Sequence, residues 1–74
     1  MRQFNFANDL TSFIETNSVV LVFFGDTHST ELKPFRELCK IMDSHIPCGF
    51  SDNIILARPY IVGKNKFVVA KSGQ

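Results

Sequence analysis

The sequence predicts a small α/β fold: a central sheet of about four strands, made of a parallel pair plus an antiparallel C-terminal hairpin, carrying two helices. Three observations predict it. Val19–Phe24 is six consecutive β-branched, aliphatic and aromatic residues without polar alternation, the mark of a strand covered on both faces. Apolar residues at helical spacing stand on either side of it, and Gly63-Lys64-Asn65-Lys66 separates two further apolar runs in the manner of a hairpin turn. With 74 residues and 8.4 kDa the chain has material for one core, so residues 1–74 are expected to form a single domain.

From the N-terminus, Leu10, Phe13 and Ile14 fall at i, i+3, i+4 spacing, predicting a helix over about 8–16 with Asn8 or Asp9 capping its first turn. Asn17-Ser18 end it, and Val19–Phe24 follows as the central strand. The polar stretch from Gly25 to Thr30 reads as a loop. Leu32, Phe35, Leu38, Cys39 and Met42 then repeat with helical period, predicting the longest element, which runs to about Asp43 with Pro34 in its first turn or two. Ile46-Pro47-Cys48-Gly49-Phe50 is apolar but contains a proline, which suits an edge strand. Ser51–Asn53 turns the chain, Ile54–Ala57 is a brief apolar linker, and Tyr60–Val62 with Phe67–Ala70 forms the hairpin.

Composition sets limits on function. Hydrophobic residues at 45% and charged residues at 20% exclude a disordered segment. Against the roughly twenty apolar residues needed to span a bilayer, six is the longest uninterrupted run, and Met1-Arg2 leads into no signal-peptide stretch. No membrane association is therefore expected, and the expected compartment is the cytoplasm. Two cysteines are too few for a disulfide-stapled mini-protein, so Cys39 and Cys48 are expected as thiols there. Charge is asymmetric: residues 1–53 carry four cations and seven acids, while residues 54–74 carry Arg58, Lys64, Lys66, Lys71 and no acid. Such a basic patch suits an acidic partner or nucleic acid, and equally an ordinary solvated hairpin.

Val19–Phe24 leading into a loop and a Pro34-bearing helix, Ile46-Pro47-Cys48-Gly49 as the next strand, and the run from Arg58-Pro59 to Val68 together resemble a thioredoxin-like domain. The resemblance implies that Arg58-Pro59 corresponds to the family's cis-proline turn. It also implies that a groove for an extended peptide is formed by Asp26, Thr27, His28, Ser29 and Thr30, by Arg58 and Pro59, and by the hairpin end from Lys71 to Gly73. The chain departs from the family at its chemistry. Exchange needs a thiolate at the N-terminus of the second helix and a resolving thiol three residues on, and Asp26–Glu31 contains no cysteine in any register. Asp26, Ser29 and Thr30 read there as helix-capping residues. The family's terminal helix also has no counterpart after the hairpin, which leaves a sheet face incompletely covered and predicts that a homodimer contact or a partner protein covers it.

Other constellations are weaker. Cys39 and Cys48 fall in apolar settings and read as core residues, although a helix end and the next strand can bring two Cα atoms within bridging range. His28, Cys39, His45 and Cys48 are metal-ligand types, but their spacing fits no recurrent pattern, and no metal or other cofactor is expected. Thr27-His28-Ser29 places hydroxyls beside an imidazole without the elbow motif of a hydrolase. The leading expectation is thus a redox-inactive thioredoxin-like protein-binding module acting as adaptor, inhibitor or subunit. Its small size would suit a phage protein that modulates a host enzyme in the host cytoplasm. The alternatives are a thiol-disulfide oxidoreductase using Cys39 and Cys48 in atypical positions, and a small nucleic-acid-binding protein using Arg58, Lys64, Lys66 and Lys71 near Tyr60 and Phe67.

Overall fold

The computed structural model describes residues 2–42, 45–60 and 62–71. In chain order it contains β1 (Arg2–Gln3), α1 (Ala7–Thr16), β2 (Val19–Phe24), α2 (Leu32–Met42), β3 (Cys48–Ser51), a 3-10 helix (Ile54–Tyr60) and β4 (Lys66–Lys71). The strands form one sheet in the order β1-β3-β2-β4, with β1 and β2 parallel to β3 and β4 antiparallel to β2. This is the small α/β class with a four-stranded mixed sheet that the sequence predicts. The differences lie in its edges and connections.

β2 is the centre of the sheet, and its alternating side chains feed two cores. Val20, Val22 and Phe24 point to one face, where they meet Leu10, Phe13 and Ile14 of α1 together with Phe4 and Leu56. Leu21 and Phe23 point to the other face, against Leu32, Phe35 and Cys39 of α2. The first predicted stripe is thus buried throughout, and Leu32, Phe35 and Cys39 of the second are buried while Leu38 and Met42 on it are partly exposed. α1 carries no side-chain cap at its N-terminus: the capping position is Phe6, so Asn8 and Asp9 lie inside the helix. At its C-terminus the Asn17 side-chain amide donates to the Phe13 carbonyl at 2.8 Å.

Three expectations are corrected. β3 is interior, because β1 adds outside it: Arg2 pairs with Gly49 and Gln3 with Phe50, and the Phe4 amide donates to the Phe50 carbonyl at 2.8 Å. Pro47 is compatible with this since it precedes the strand, where its carbonyl accepts from the Leu21 amide. Gly49 is required by a close approach. A Cβ there would lie 2.5 Å from Phe4 Cε2 and 3.2 Å from Phe13 Cε2, so only glycine lets that ring pair, 4.9 Å between centroids, lie on the strand.

The C-terminal hairpin is also absent among the described residues. Phe67–Ala70 pairs with β2, Val62 lies in no strand, and Ile61 lies outside the described residues. Ile54–Tyr60, expected as linker and strand, winds instead into the 3-10 helix, which presses Leu56 and Ala57 into the α1-side core and stacks Tyr60 on Phe24 at 6.1 Å. Leu56 and Ala57, expected in a linker, are therefore buried from a helix, while Tyr60 and Val62 pack partly buried against the same core. The Arg58–Pro59 bond within this helix is trans, so the implied cis-proline turn is not formed there.

The third correction concerns the thiols. Cys39, on the inward face of α2, and Cys48, which opens β3, are joined by a disulfide with Cα atoms 6.0 Å apart. Both are buried in the α2-side cluster, as a core reading requires, but they are bonded rather than free. The helix end and the following strand converge on one face, and this brings the pair within bridging range.

Candidate functional site

The C-terminal end of β2 opens into the loop that precedes α2, and the turn before β4 closes on it. Asn65 sits at a φ of 61°, a left-handed conformation that asparagine tolerates better than most residues. This aims its amide at the Phe24 carbonyl, 2.7 Å away, while its side-chain oxygen accepts from the Asp26 amide at 3.1 Å. Gly25 is fixed between the two segments. Its amide donates to the Ser51 carbonyl at 3.0 Å, and a Cβ on it would fall 2.7 Å from Asn65 N and 2.8 Å from Asn65 Cα. Ser51 is fully buried, and its hydroxyl accepts from the Asn53 amide.

The loop residues satisfy one another. The Asp26 carboxylate accepts from the His28 amide at 2.9 Å. The Ser29 hydroxyl accepts from the Glu31 amide at 3.1 Å and donates to the Glu31 carboxylate at 2.5 Å, with Thr30 a further donor to the same carboxylate at 3.4 Å. The Ser29 hydroxyl, the backbone around Glu31 and, more weakly, the nearby Lys66 hold the Glu31 carboxyl below its ordinary range. These bonds order the loop ahead of α2 rather than cap it: Asp26 accepts from His28 and Ser29 from Glu31, both before Leu32, and Thr30 only donates. The expected capping of the first helix amides is thus not what these three side chains do, and the Ser29 hydroxyl is committed to Glu31 rather than presented to the His28 ring.

The predicted groove does not come together as one site. Asp26 lines a depression with Gly25, Asp52, Ile54 and Lys64, His28 and Ser29 line another with α2 residues, and Thr27 borders both. Arg58 and Pro59 lie exposed on the 3-10 helix. Lys71 pairs with Val19, at the end of β2 opposite Phe24, and Gly73 lies outside the described residues. The four cations are dispersed for the same reason: Lys64 and Lys66 flank Asn65, Lys71 lies at the far end of β4, and Arg58 is on another element.

What the fold does assemble is an open apolar face. β4 is paired on one side only among the described residues. On the α2 side of the sheet, Phe67 and Val69 are 49% and 51% exposed, because α2 reaches only as far as Phe35, whose ring lies 5.5 Å from that of Phe67. A groove of about 410 Å³ runs between helix and strand, with Phe23 as floor, Pro34, Phe35 and Leu38 on one wall and Phe67 on the other. Glu31, Asn65 and Lys66 close one end. Sequence reasoning finds the uncovered sheet face but not the groove, since its α2 wall is set by helix placement. The signal available was Pro34 and Leu38 one turn apart on the flank of the buried stripe.

Among the described residues no three His, Cys, Asp or Glu side chains converge as a metal site, and no helix is long and apolar enough to cross a membrane. No protein-family model matches the chain, and no curated protein matches it.

Proposed function

We propose that the chain is a redox-inactive thioredoxin-like protein-binding module, an adaptor, inhibitor or subunit, that docks on another protein through the open face of α2 and β4. The observation that carries this reading is the pair Phe67 and Val69, both half exposed on an edge strand beside an apolar groove. The parallel strands joined through α2, with Pro34 in its first turn, support the resemblance, and the thiol-free helix entry at Asp26–Glu31 supports the lack of redox chemistry. The proposed setting is the cytoplasm, that of a host if the chain is phage-encoded. The bridge would persist there because buried sulfurs meet reductants slowly.

The test is affinity capture from a native lysate with tagged wild type, a Phe67→Thr/Val69→Thr variant and a Cys39→Ser/Cys48→Ser variant. A stoichiometric partner held by the first and third and lost from the second is expected. Retention by the Phe67→Thr/Val69→Thr variant would overturn the reading.

A second reading, thiol-disulfide exchange, is favoured by the Cys39–Cys48 bridge itself. A partner thiolate would attack one sulfur, the S–S bond would break, and the other cysteine would leave as a thiolate. A second partner thiol would then resolve the mixed disulfide, leaving the partner oxidised and Cys39 and Cys48 reduced. Both cysteines are only 6% exposed, which opposes such attack. Reduction of the native protein by a small dithiol as fast as that of an exposed disulfide would favour this second reading over the first.

A further inference from the structure

Resting on the binding-module reading, we infer that the occupant of the open face is an extended segment of another protein, added antiparallel to the free edge of β4 and bearing acidic residues at its ends. A strand is the element that meets both needs of this surface. It satisfies the edge amides and carbonyls of Lys66–Lys71 that β2 does not use, and it lays alternate side chains over Phe67 and Val69.

Charge selects the partner. β4 reads Lys-Phe-Val-Val-Ala-Lys, with a cation at each end and no acid. Two copies paired antiparallel about a two-fold axis would set Lys66 opposite Ala70 when centred on Val68, or Lys71 opposite Phe67 when centred on Val69, so self-pairing offers neither lysine an acid. A segment of the form acid-x-apolar-x-apolar-acid instead places its first acid opposite Lys71, its apolar residues opposite Val69 and Phe67, and its last acid opposite Lys66. The two ends are not equivalent. Glu31 already lies near Lys66, whereas Lys71 faces Val19 across the sheet, so the acid opposite Lys71 contributes more.

The probe is the blocked hexapeptide Glu-Thr-Val-Thr-Phe-Glu, titrated into the isotope-labelled full chain and followed by amide chemical shifts. Shifts centred on residues 66–71 are expected. Affinity should fall at least tenfold when both Glu are replaced by Lys, at least tenfold when the phase is inverted to Glu-Val-Thr-Phe-Thr-Glu, and more for loss of the first Glu than of the last. The Phe67→Thr/Val69→Thr variant keeps strand-forming residues at both positions and should lose binding while its own spectrum stays dispersed. Equal binding of the acidic and lysine-flanked peptides would overturn the inference. So would shifts confined to the α2 wall, which leave the module reading intact but exclude strand addition. Peptide-independent dimerisation through β4 in sedimentation would overturn it in favour of a second copy. Loss of the lysate partner in the Phe67→Thr/Val69→Thr variant without any peptide binding would likewise uphold the module and refute the strand.

Discussion

Reducing the Cys39–Cys48 bridge tests how much of the fold depends on the junction between α2 and β3. The two residues are 9 apart in sequence, so the bridge closes a loop of about ten residues in the unfolded chain. Chain-entropy arithmetic assigns such a loop roughly 9 cal/mol/K, or about 2.7 kcal/mol at 25 °C. For a chain of this size that corresponds to a fall in Tm of roughly 10–20 °C, and to a urea midpoint lower by roughly 2–3 M with a slope of about 1 kcal/mol/M. The cleanest comparison is oxidised against reduced wild type, since the side chains are then the same and only the bond is lost. Matched urea titrations with and without a phosphine reductant, followed by far-UV circular dichroism, give the difference directly. A Cys39→Ala/Cys48→Ala variant should be indifferent to the reductant and less stable than reduced wild type, because it also removes buried sulfur from the α2-side cluster. Midpoints that differ by less than about 0.5 M between the two redox states would refute the reasoning.

Three further outcomes are expected. Gly25→Ala should cost about 2–4 kcal/mol in chemical denaturation, because the added methyl meets the Asn65 backbone and displaces the amides bonded to Phe24 and Ser51; an unchanged midpoint would show that the Asn65 turn is free to move. Phe4→Ala should cost about 3–5 kcal/mol, since a fully buried ring packed on Phe13 and over Gly49 is removed, and a loss under about 1 kcal/mol would mean that β1 is not part of the stable sheet. Burial raises the Tyr60 hydroxyl above its ordinary 10.0, so the stability it contributes is complete below pH 10.0 and is lost as pH rises through the folded value. Tyr60→Phe should remove that part of the alkaline decline, and identical pH profiles for variant and wild type would contradict it.

The elements legible in the sequence were those whose own periodicity is strong. Val19–Phe24 has no polar residue to leave either face uncertain, and Leu10, Phe13, Ile14 and the Leu32–Cys39 stripe each mark one helical face. β1 escaped because two exposed residues, Arg2 and Gln3, carry no pattern; only Phe4 beyond them is buried. Tyr60 misled because an apolar residue reads alike in a strand or in a turn of helix pressed on a core, and the stacking on Phe24 that decides the matter is a tertiary contact. The site was legible in part. That Asp26 and Ser29 accept nearby backbone amides follows from local sequence, though those amides belong to the loop and not to α2, and the open sheet face follows from counting helices. The separation of Lys71 from Asp26 required knowing that β4 runs antiparallel along β2, which places the two at opposite ends of the sheet.

The pairing of β4 with β2 also has a consequence during synthesis. Forty-two positions separate Phe24 from Lys66, its partner in register, so at ribosomal rates of about 5–20 residues per second β2 waits roughly 2–8 s for its second neighbour. During that interval Val19–Phe24, six apolar residues without a charge, is a bare edge of the kind that nucleates cross-β association between nascent chains. The strand that eventually covers it brings a lysine at either end, so the segment that completes the sheet also places gatekeeper charges on its new outer margin.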